Sequence, residues 1–404
     1  MKLKETHVMR DPVHGYIHID EDVIWKLIDT PEMQRLRRIH QLGGDSAVYH
    51  TADHSRFSHS MGVYELLRRM IEEVPGVKES LSDLEQKAGL CAALLHDVGH
   101  GPFSHSYEAI SKISHEEISR FLIESEKTGI HEVLAAEDER LPHMTASILT
   151  HSHELPLLED MVSSQLDCDR MDYLLRDAHE TGTTYGSYDL ERILRTLRVR
   201  DGKLCVKKSG VHAIEDYIMA RYQMYWQVYL HPDAASYDLL VHSFFRRYAK
   251  IRENPEKRIE LLEPVFDDPF DPAHFLFLDD GAVLAGIHQA VRSDDPILSD
   301  LAFRVINRRL FEWVDAKDQQ TIEALKKKTE EAGFDPEYYF HLKKIRLEEF
   351  LPYEEDPKDG TKPILVLDGN SMQTLSEASV VVRALLEMKE TEKTRIYLPK
   401  SVNI

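Results

Sequence analysis

Residues 94–105, LLHDVGHGPFSH, crowd three histidines and an aspartate into positions shared with Leu94, Leu95, Val98 and Phe103. Imidazole and carboxylate are costly to take out of water unless something pairs with them. Either these groups share a partner, such as a metal ion or a phosphate, or the segment is a solvated helix end. The stretch closes a run of helical apolar spacing from Ser82 to Val98, so His96 and Asp97 stand at the end of a buried helix. Adjacent residues diverge by about 100° along a helix, but at its end both can converge on a point in front of it.

The rest of the chain predicts a mainly α fold. Helical spacing recurs over about 20–28, from Ser58 to Glu73, from Leu158 to His179, and through IEDYIMARYQMYWQVYLHP to Pro232. Thr30 reads as an N-cap with Pro31 in the first helical position, and Gly43–Gly44 as the close of that helix. RDPVHGYIHI alternates like short strands, and RVRDGKLCVKKSGV reads as a hairpin with an Asp-Gly turn. The expected organisation is a core over 1–255, a helical extension over 256–320, and a small α/β unit over 321–404. The last carries KPILVLDGN, a helix around SEASVVVRALLEMK, and TRIYLP.

A net charge of −21 argues against a grip on nucleic-acid backbone, although a local basic pocket for a small anion remains open. Cys91, Cys168 and Cys205 are scattered and predict neither a disulfide framework nor a cysteine zinc site. No leader or membrane span is expected, which points to a reducing cytoplasm.

Seven of the 22 histidines fall between residues 50 and 115, marking that region as the seat of chemistry. His96 and Asp97 need further ligands. His59, at a helix start in SRFSHSMGV, is one candidate. Another lies in QLDCDRMDYLLRDA, where Asp169, Tyr173 and Asp177 share one helix face beside Arg170, a cation suited to phosphate. Asp167, Asp169 and Asp172 compete for the ligand role, and spacing alone does not choose among them. Imidazole and carboxylate together suit Zn, Fe, Mn or Ni, and carboxylate alone suits Mg.

The stretches DPVHGYI, IDTPEMQRLRRIHQLGG, HSRFSHSMGV, LLHDVGHGPFSH, HEEISRFLI and LDCDRMDYLLRDA, in this order, resemble the HD-domain metallophosphohydrolases. The chain is most similar to their deoxynucleoside-triphosphate triphosphohydrolase branch of the SAM-and-HD-domain type, from about residue 7 to at least 315. That resemblance implies an HD-domain helical core with small β-hairpins, and a divalent metal held by His59, His96, Asp97 and Asp169. It places Arg56 and Arg170 at the phosphates, and Gln41 and Leu42 at the deoxyribose and base. Tyr173 and Asp177 come near the 3′-hydroxyl, with His231 also at the substrate. His100, His105, Glu108 and His115 are implied as the proton-handling cluster, and Mg would accompany the nucleotide.

The same resemblance implies a guanine-nucleotide activator, dGTP or GTP, read by Asp29, Gln34 and Arg37 in a homotetramer. A salt-bridged helix surface is the other reading of PEMQRLRR. The chain departs from the family at His7, Arg10, Gln227 and Ala235, which leaves the exclusion of ribonucleotides and the activator's identity open. The expected activity is hydrolysis of dNTPs to deoxynucleoside and triphosphate. The alternatives are an HD-type phosphomonoesterase or phosphodiesterase for another nucleotide, or a nucleotide-sensing module with weak catalysis.

Overall fold

Lys2–Asp11 (β1) and Gly15–Glu21 (β2) pair antiparallel in the computed structural model, which describes residues 2–152, 154–346, 352–355, 362–387 and 392–402. The Asp11 carboxylate accepts from the backbone N–H of Val13 and His14, both at 2.9 Å, and so closes the turn between them. Helices Asp22–Ile28 (α1) and Pro31–Arg35 (α2) follow, with Thr30 capping α2 and Pro31 opening it. The helix expected to continue to Gly43 stops early. After a 3-10 turn at Leu36–Arg38 the chain is extended at Ile39, because other groups claim its backbone. The Asp280 carboxylate takes the His40 N–H (2.8 Å) and Nδ1 (2.6 Å), and the Ile39 carbonyl accepts from the Arg56 N–H (2.9 Å).

Arg56–Glu73 (α3) and Asp83–Leu95 (α4) form the centre of the core. A reciprocal capping box between Ser82 and Glu85 starts α4 where the sequence predicts. It ends at Leu95 rather than Val98, since the Gly99 N–H turns away to Ser119 Oγ (2.9 Å). Around these helices lie His105–Ser111 (α5), His115–Glu124 (α6), Gly129–Glu137 (α7) and Leu141–Leu149 (α8). The single helix expected from Leu158 to His179 is two, Pro156–Val162 (α9) and Cys168–Thr181 (α10). Asp167 breaks it by accepting the Ser164 and Arg170 backbone N–H groups, and so becomes the N-cap of α10.

Leu190–Thr196 (α11) leads into the predicted hairpin, Leu197–Arg200 (β3) and Lys203–Lys207 (β4). Its turn residues Asp201 and Gly202 both have positive φ, 52° and 72°, as a type I′ turn requires. Val211–Met224 (α12) widens into one π-helical turn, Tyr225–Tyr229, before Pro232–Ile251 (α13) begins. Pro272–Phe275 (α14), Asp280–Ala290 (α15) and Pro296–Ile306 (α16) extend the helical mass.

Glu312–Asp315 (β5), Gln319–Glu331 (α17), Pro336–Tyr339 (α18) and His341–Arg346 (β6) come next. The chain finishes with Leu365–Asp368 (β7), Ser371–Thr374 (β8), Leu375–Ala378 (α19), Val380–Leu386 (α20) and Glu392–Leu398 (β9). The strands read from the tail join two different sheets: β7 pairs parallel with β4, and β9 lies between β5 and β6. One apolar cluster runs from Ile17 to Tyr397, and a second, around Leu325, Ile396 and Leu398, sits under β9. Among the described residues, no helix is long and apolar enough to cross a membrane.

Candidate active site

Four side chains converge where the start of α3, the end of α4 and the start of α10 meet. His59 Nε2 lies 3.0 Å from Asp169 Oδ1 and 3.2 Å from His96 Nε2. His96 Nε2 is 3.3 Å from Asp97 Oδ1 and 3.7 Å from Asp169 Oδ1. Asp97 Oδ2 stands 3.9 Å from His59 Nε2.

Each imidazole is fixed through its other nitrogen. His96 Nδ1 faces the Ala93 carbonyl (3.0 Å), and His59 Nδ1 faces Asp172 Oδ2 (2.8 Å). With Nδ1 so engaged, each imidazole turns its Nε2 to the same point, the arrangement in which a histidine serves a metal. Asp172 is fully buried and held in turn by His14 Nε2 (2.6 Å) and by Arg176 through two bonds of 2.8 and 2.9 Å, while Arg176 also reaches Asp11 (2.9 Å). Gly62 of α3 makes room for this carboxylate, since a Cβ there would collide with it. Burial disfavours the charged form of His59, yet its hydrogen bonds to the Asp169 and Asp172 carboxylates push its pKa up to about 10. Burial likewise opposes the charge on Asp97, and His96, Arg56 and His100 overcome it and hold the carboxyl well below its usual range. The His59 and His96 nitrogens and an Asp169 oxygen lie within 4.8 Å of one another, and with Asp97 beside His96 they fit a divalent ion of the Zn, Fe, Mn or Ni type.

The three competing aspartates separate by position. Asp169 faces the histidines, Asp172 supports His59 from behind, and Asp167 caps α10 and pairs with Arg170. Sequence reasoning missed the Asp11–Arg176–Asp172–His14 support. A buried arginine four residues after an aspartate, opposite the DPVH turn, was its only trace.

Beside the metal-type cluster, Arg56 donates to Asp97 Oδ2 (2.6 Å) and to Ser104 Oγ (2.8 Å). Phe103 and Ser104 adopt left-handed φ of 54° and 42°. Such strain persists only where neighbours fix the backbone, and here Asp280 binds the Phe103 N–H (2.9 Å). Arg35, fully buried and stacked on Phe275, holds the same loop through the His100 carbonyl (2.8 Å). The His100 ring stacks on His115 with centroids 3.8 Å apart. Burial first, then the nearby Arg56 charge, holds the His100 pKa well below its ordinary value. Glu108 accepts from both the backbone N–H (3.0 Å) and Nδ1 of His115. His105 opens α5, and its side chain lies outside the described residues.

A cleft of about 720 Å³ adjoins this end and is lined by Gln41, Leu42, Arg56, Tyr173 and Asp177 together with Tyr229 and Asp45. Its size suits a nucleotide-sized ligand. Asp177 is framed by His54 Nε2 (2.8 Å) and by the Tyr229 hydroxyl (2.7 Å), and the rings of Tyr173 and Tyr229 meet edge-on at 6.1 Å. Tyr229 reaches Asp177 from the π-helical turn, which the aromatic stripe alone did not disclose. Burial, with Asp238 and Asp177 nearby, pushes the Asp45 carboxyl up to about 8.

His231 caps α13, accepting the Asp233 N–H at Nδ1 (3.2 Å), and its ring lies edge-on to Tyr49. Asp29 ends α1. Gln34 donates to the Ile28 carbonyl (2.7 Å) and accepts from Arg37 Nε (2.9 Å), while the Arg37 guanidinium covers the Phe57 ring at 3.6 Å. His7 stacks on Trp25 (4.2 Å), and Arg10 donates to the Tyr16 hydroxyl (2.8 Å).

The HD domain family model matches residues 56–177, which hold all four convergent side chains, and the HD-associated region matches 188–403. The uncharacterized protein YwfO of Bacillus subtilis is 39% identical over 413 residues, covering 99% of this chain and 94% of that protein. Deoxynucleoside triphosphate triphosphohydrolase SAMHD1 of Bos taurus is 28% identical over 80% of this chain, which spans 61% of its length. A phosphohydrolase crystal structure from Bacteroides thetaiotaomicron superposes with a TM-score of 0.84 at 30% identity, covering 98% of this chain and all of that one. A hypothetical protein from Aquifex aeolicus gives 0.77 at 27% identity, over 98% of both chains. The chain therefore belongs to the HD-domain phosphohydrolases and, among them, resembles the SAMHD1-type proteins.

Proposed function

We propose that the protein is a metal-dependent dNTP triphosphohydrolase, converting dNTP and water to deoxynucleoside and inorganic triphosphate. The observation that carries this reading is the convergence of His59, His96 and Asp169, with Asp97 3.3 Å from His96, beside a nucleotide-sized cleft. A divalent ion in that set supplies a Lewis acid and makes water nucleophilic near neutral pH.

The chain's own groups do the rest. Arg56, fixed by Asp97 and Ser104, presents its guanidinium to the phosphates, and Arg170 of α10 adds a second. Attack at the α-phosphorus breaks the bond to the 5′-oxygen, which must then take up a proton. His115, oriented by Glu108 and stacked on His100, donates it. His100 stays neutral beside it, so no second fixed charge repels the imidazolium. Asp177, steadied by His54 and Tyr229, accepts the 3′-hydroxyl, while Gln41, Leu42 and Tyr173 enclose sugar and base and His231 contributes from the start of α13. Mg carried in with the nucleotide would offset the triphosphate charge against an acidic protein.

Asp29, Gln34 and Arg37 form the activating site for a guanine nucleotide, dGTP or GTP, with the Arg37 fork on O6 and N7. The support is an exposed Gln34–Arg37 pair stacked on Phe57. The assembly is a homotetramer working in the cytoplasm, and residues 321–404 act as its C-terminal unit.

The test incubates the protein with Mn or Mg and each dNTP, with and without dGTP or GTP, and resolves triphosphate from pyrophosphate and phosphate by chromatography. Triphosphate that disappears in Asp97→Ala is the expected result. Phosphate or pyrophosphate in its place would sink the substrate assignment, and activity indifferent to guanine nucleotide would sink the regulatory one. Sedimentation with and without dGTP reads the assembly.

A further inference from the structure

Not every polar group of the cleft lining is paired. Both Asp177 oxygens have partners, His54 on Oδ1 and Tyr229 on Oδ2. Asp45 differs. It is 8% exposed, it lines the cleft, and its Oδ1 has no hydrogen-bond partner. Gln41 Oε1, in the same lining, is likewise buried and unpaired. An unpaired buried acceptor costs free energy that a ligand donor would return.

The backbone is shaped to put Asp45 there. A Cβ on Gly44 would collide with the Ala234 carbonyl and lie 2.8 Å from Asp238 Oδ1, so only glycine lets the loop close onto α13. The 3-10 turn Gly44–Ala47 then fixes Asp45, whose carbonyl accepts from the Val48 (2.9 Å) and Tyr49 (2.7 Å) N–H groups. The cleft lining there combines the apolar Leu42, Ala235 and Leu239 with the charged Asp238 and Lys343, and none of them bonds Asp45 Oδ1.

We propose that Asp45 is a specificity-determining residue that accepts a hydrogen bond from an N–H or O–H donor on the nucleoside part of a nucleotide bound in the cleft. The inference rests on the nucleotide reading of the cleft. Two sources share this chemistry, a base amino group and a sugar 2′-hydroxyl, and three nucleosides separate them. Deoxycytidine and deoxyuridine differ in the base amino group; cytidine and deoxycytidine differ in the 2′-hydroxyl.

Titration calorimetry of these nucleosides against wild type, Asp45→Ala and Asp45→Asn makes the test. Wild type is expected to favour deoxycytidine over deoxyuridine, or cytidine over deoxycytidine, by about tenfold, the size of one specific hydrogen bond. Asp45→Ala brings the favoured ratio close to one. Asp45→Asn keeps the volume but only one oxygen, lowers the ratio about threefold, and carries the test should Asp45→Ala not fold. Ratios unchanged in the variants, or all three nucleosides weakened equally, would overturn the proposal. Nucleoside binding needs no turnover, so a wild type that binds them yet releases no triphosphate sinks the activity and leaves this inference standing. A wild type that binds none of the three overturns both.

Discussion

Two pairs of histidines lie side by side in the site and are built to opposite ends. His59 and His96 meet Nε2 to Nε2, and each is anchored at Nδ1, one by a buried carboxylate and one by a carbonyl. His100 and His115 meet face to face; His100 Nδ1 has no partner and its Nε2 lies 3.4 Å from Asp97 Oδ1, while His115 Nδ1 is held by Glu108. Carboxylates on His59 raise its affinity for a positive charge, and burial beside Arg56 removes that affinity from His100. The residue type is the same, and carboxylate contact on one side and burial beside a cation on the other set the imidazoles apart, in keeping with the cation-holding and proton-handling roles proposed above.

The sharpest way to break this distinction is to lose activity by two different routes. His59→Ala is expected to abolish bound metal and to reduce turnover by about a thousandfold or more. His115→Ala is expected to keep wild-type metal content and lose about 10²–10⁴ in turnover. Elemental analysis beside rate measurement separates the two, and metal lost from His115→Ala would erase the contrast. Asp172→Asn leaves every direct ligand in place but weakens the support of His59, so metal affinity should fall about 10–100-fold. A titration with unchanged affinity would show that the buried network serves only folding.

A histidine outside these pairs sharpens the comparison through stability. His341 is bonded to Ser243 (3.0 Å) and the Tyr338 carbonyl (3.0 Å), and burial holds it down to about 4 against an ordinary 6.5. The folded chain binds fewer protons than the unfolded one between those values. Its stabilising contribution is therefore complete above about pH 6.5 and is lost as the pH falls through about 4, on the order of 3 kcal/mol in all. Urea unfolding across that range should show the slope, and His341→Gln should flatten it. Smallest in stability is Arg37→Ala: a change within about 0.5 kcal/mol for a surface group, with guanine-nucleotide activation lost in the rate assay.

Local signals carried the parts of the fold that depend on neighbours in sequence. The Ser82 capping box, the Thr30–Pro31 start and the Asp201–Gly202 turn were legible because their partners lie within a few residues. The misplaced boundaries share one cause, a partner distant in sequence or an acceptor doing unexpected work. Asp280 ends the helix before His40 from more than two hundred residues away, and Asp167 spends its carboxylate on the backbone of α10. In the site, the Asp169–Tyr173–Asp177 row could be read from helical spacing. What faced that row could not, because His54, Tyr229, Asp45 and Lys343 come to the cleft from separate loops, a π-helical turn and strand β6.

That π-helical turn has a consequence for how the protein tolerates change. A wider turn holds one residue more than an α-helical turn over the same span. Deleting a single residue within 225–229 would let the segment relax into ordinary helix at little local cost. It would also rotate the turn by about 100° and carry the Tyr229 hydroxyl away from Asp177. The segment acts as a phase setting between α12 and α13, so length rather than composition is what must be preserved there.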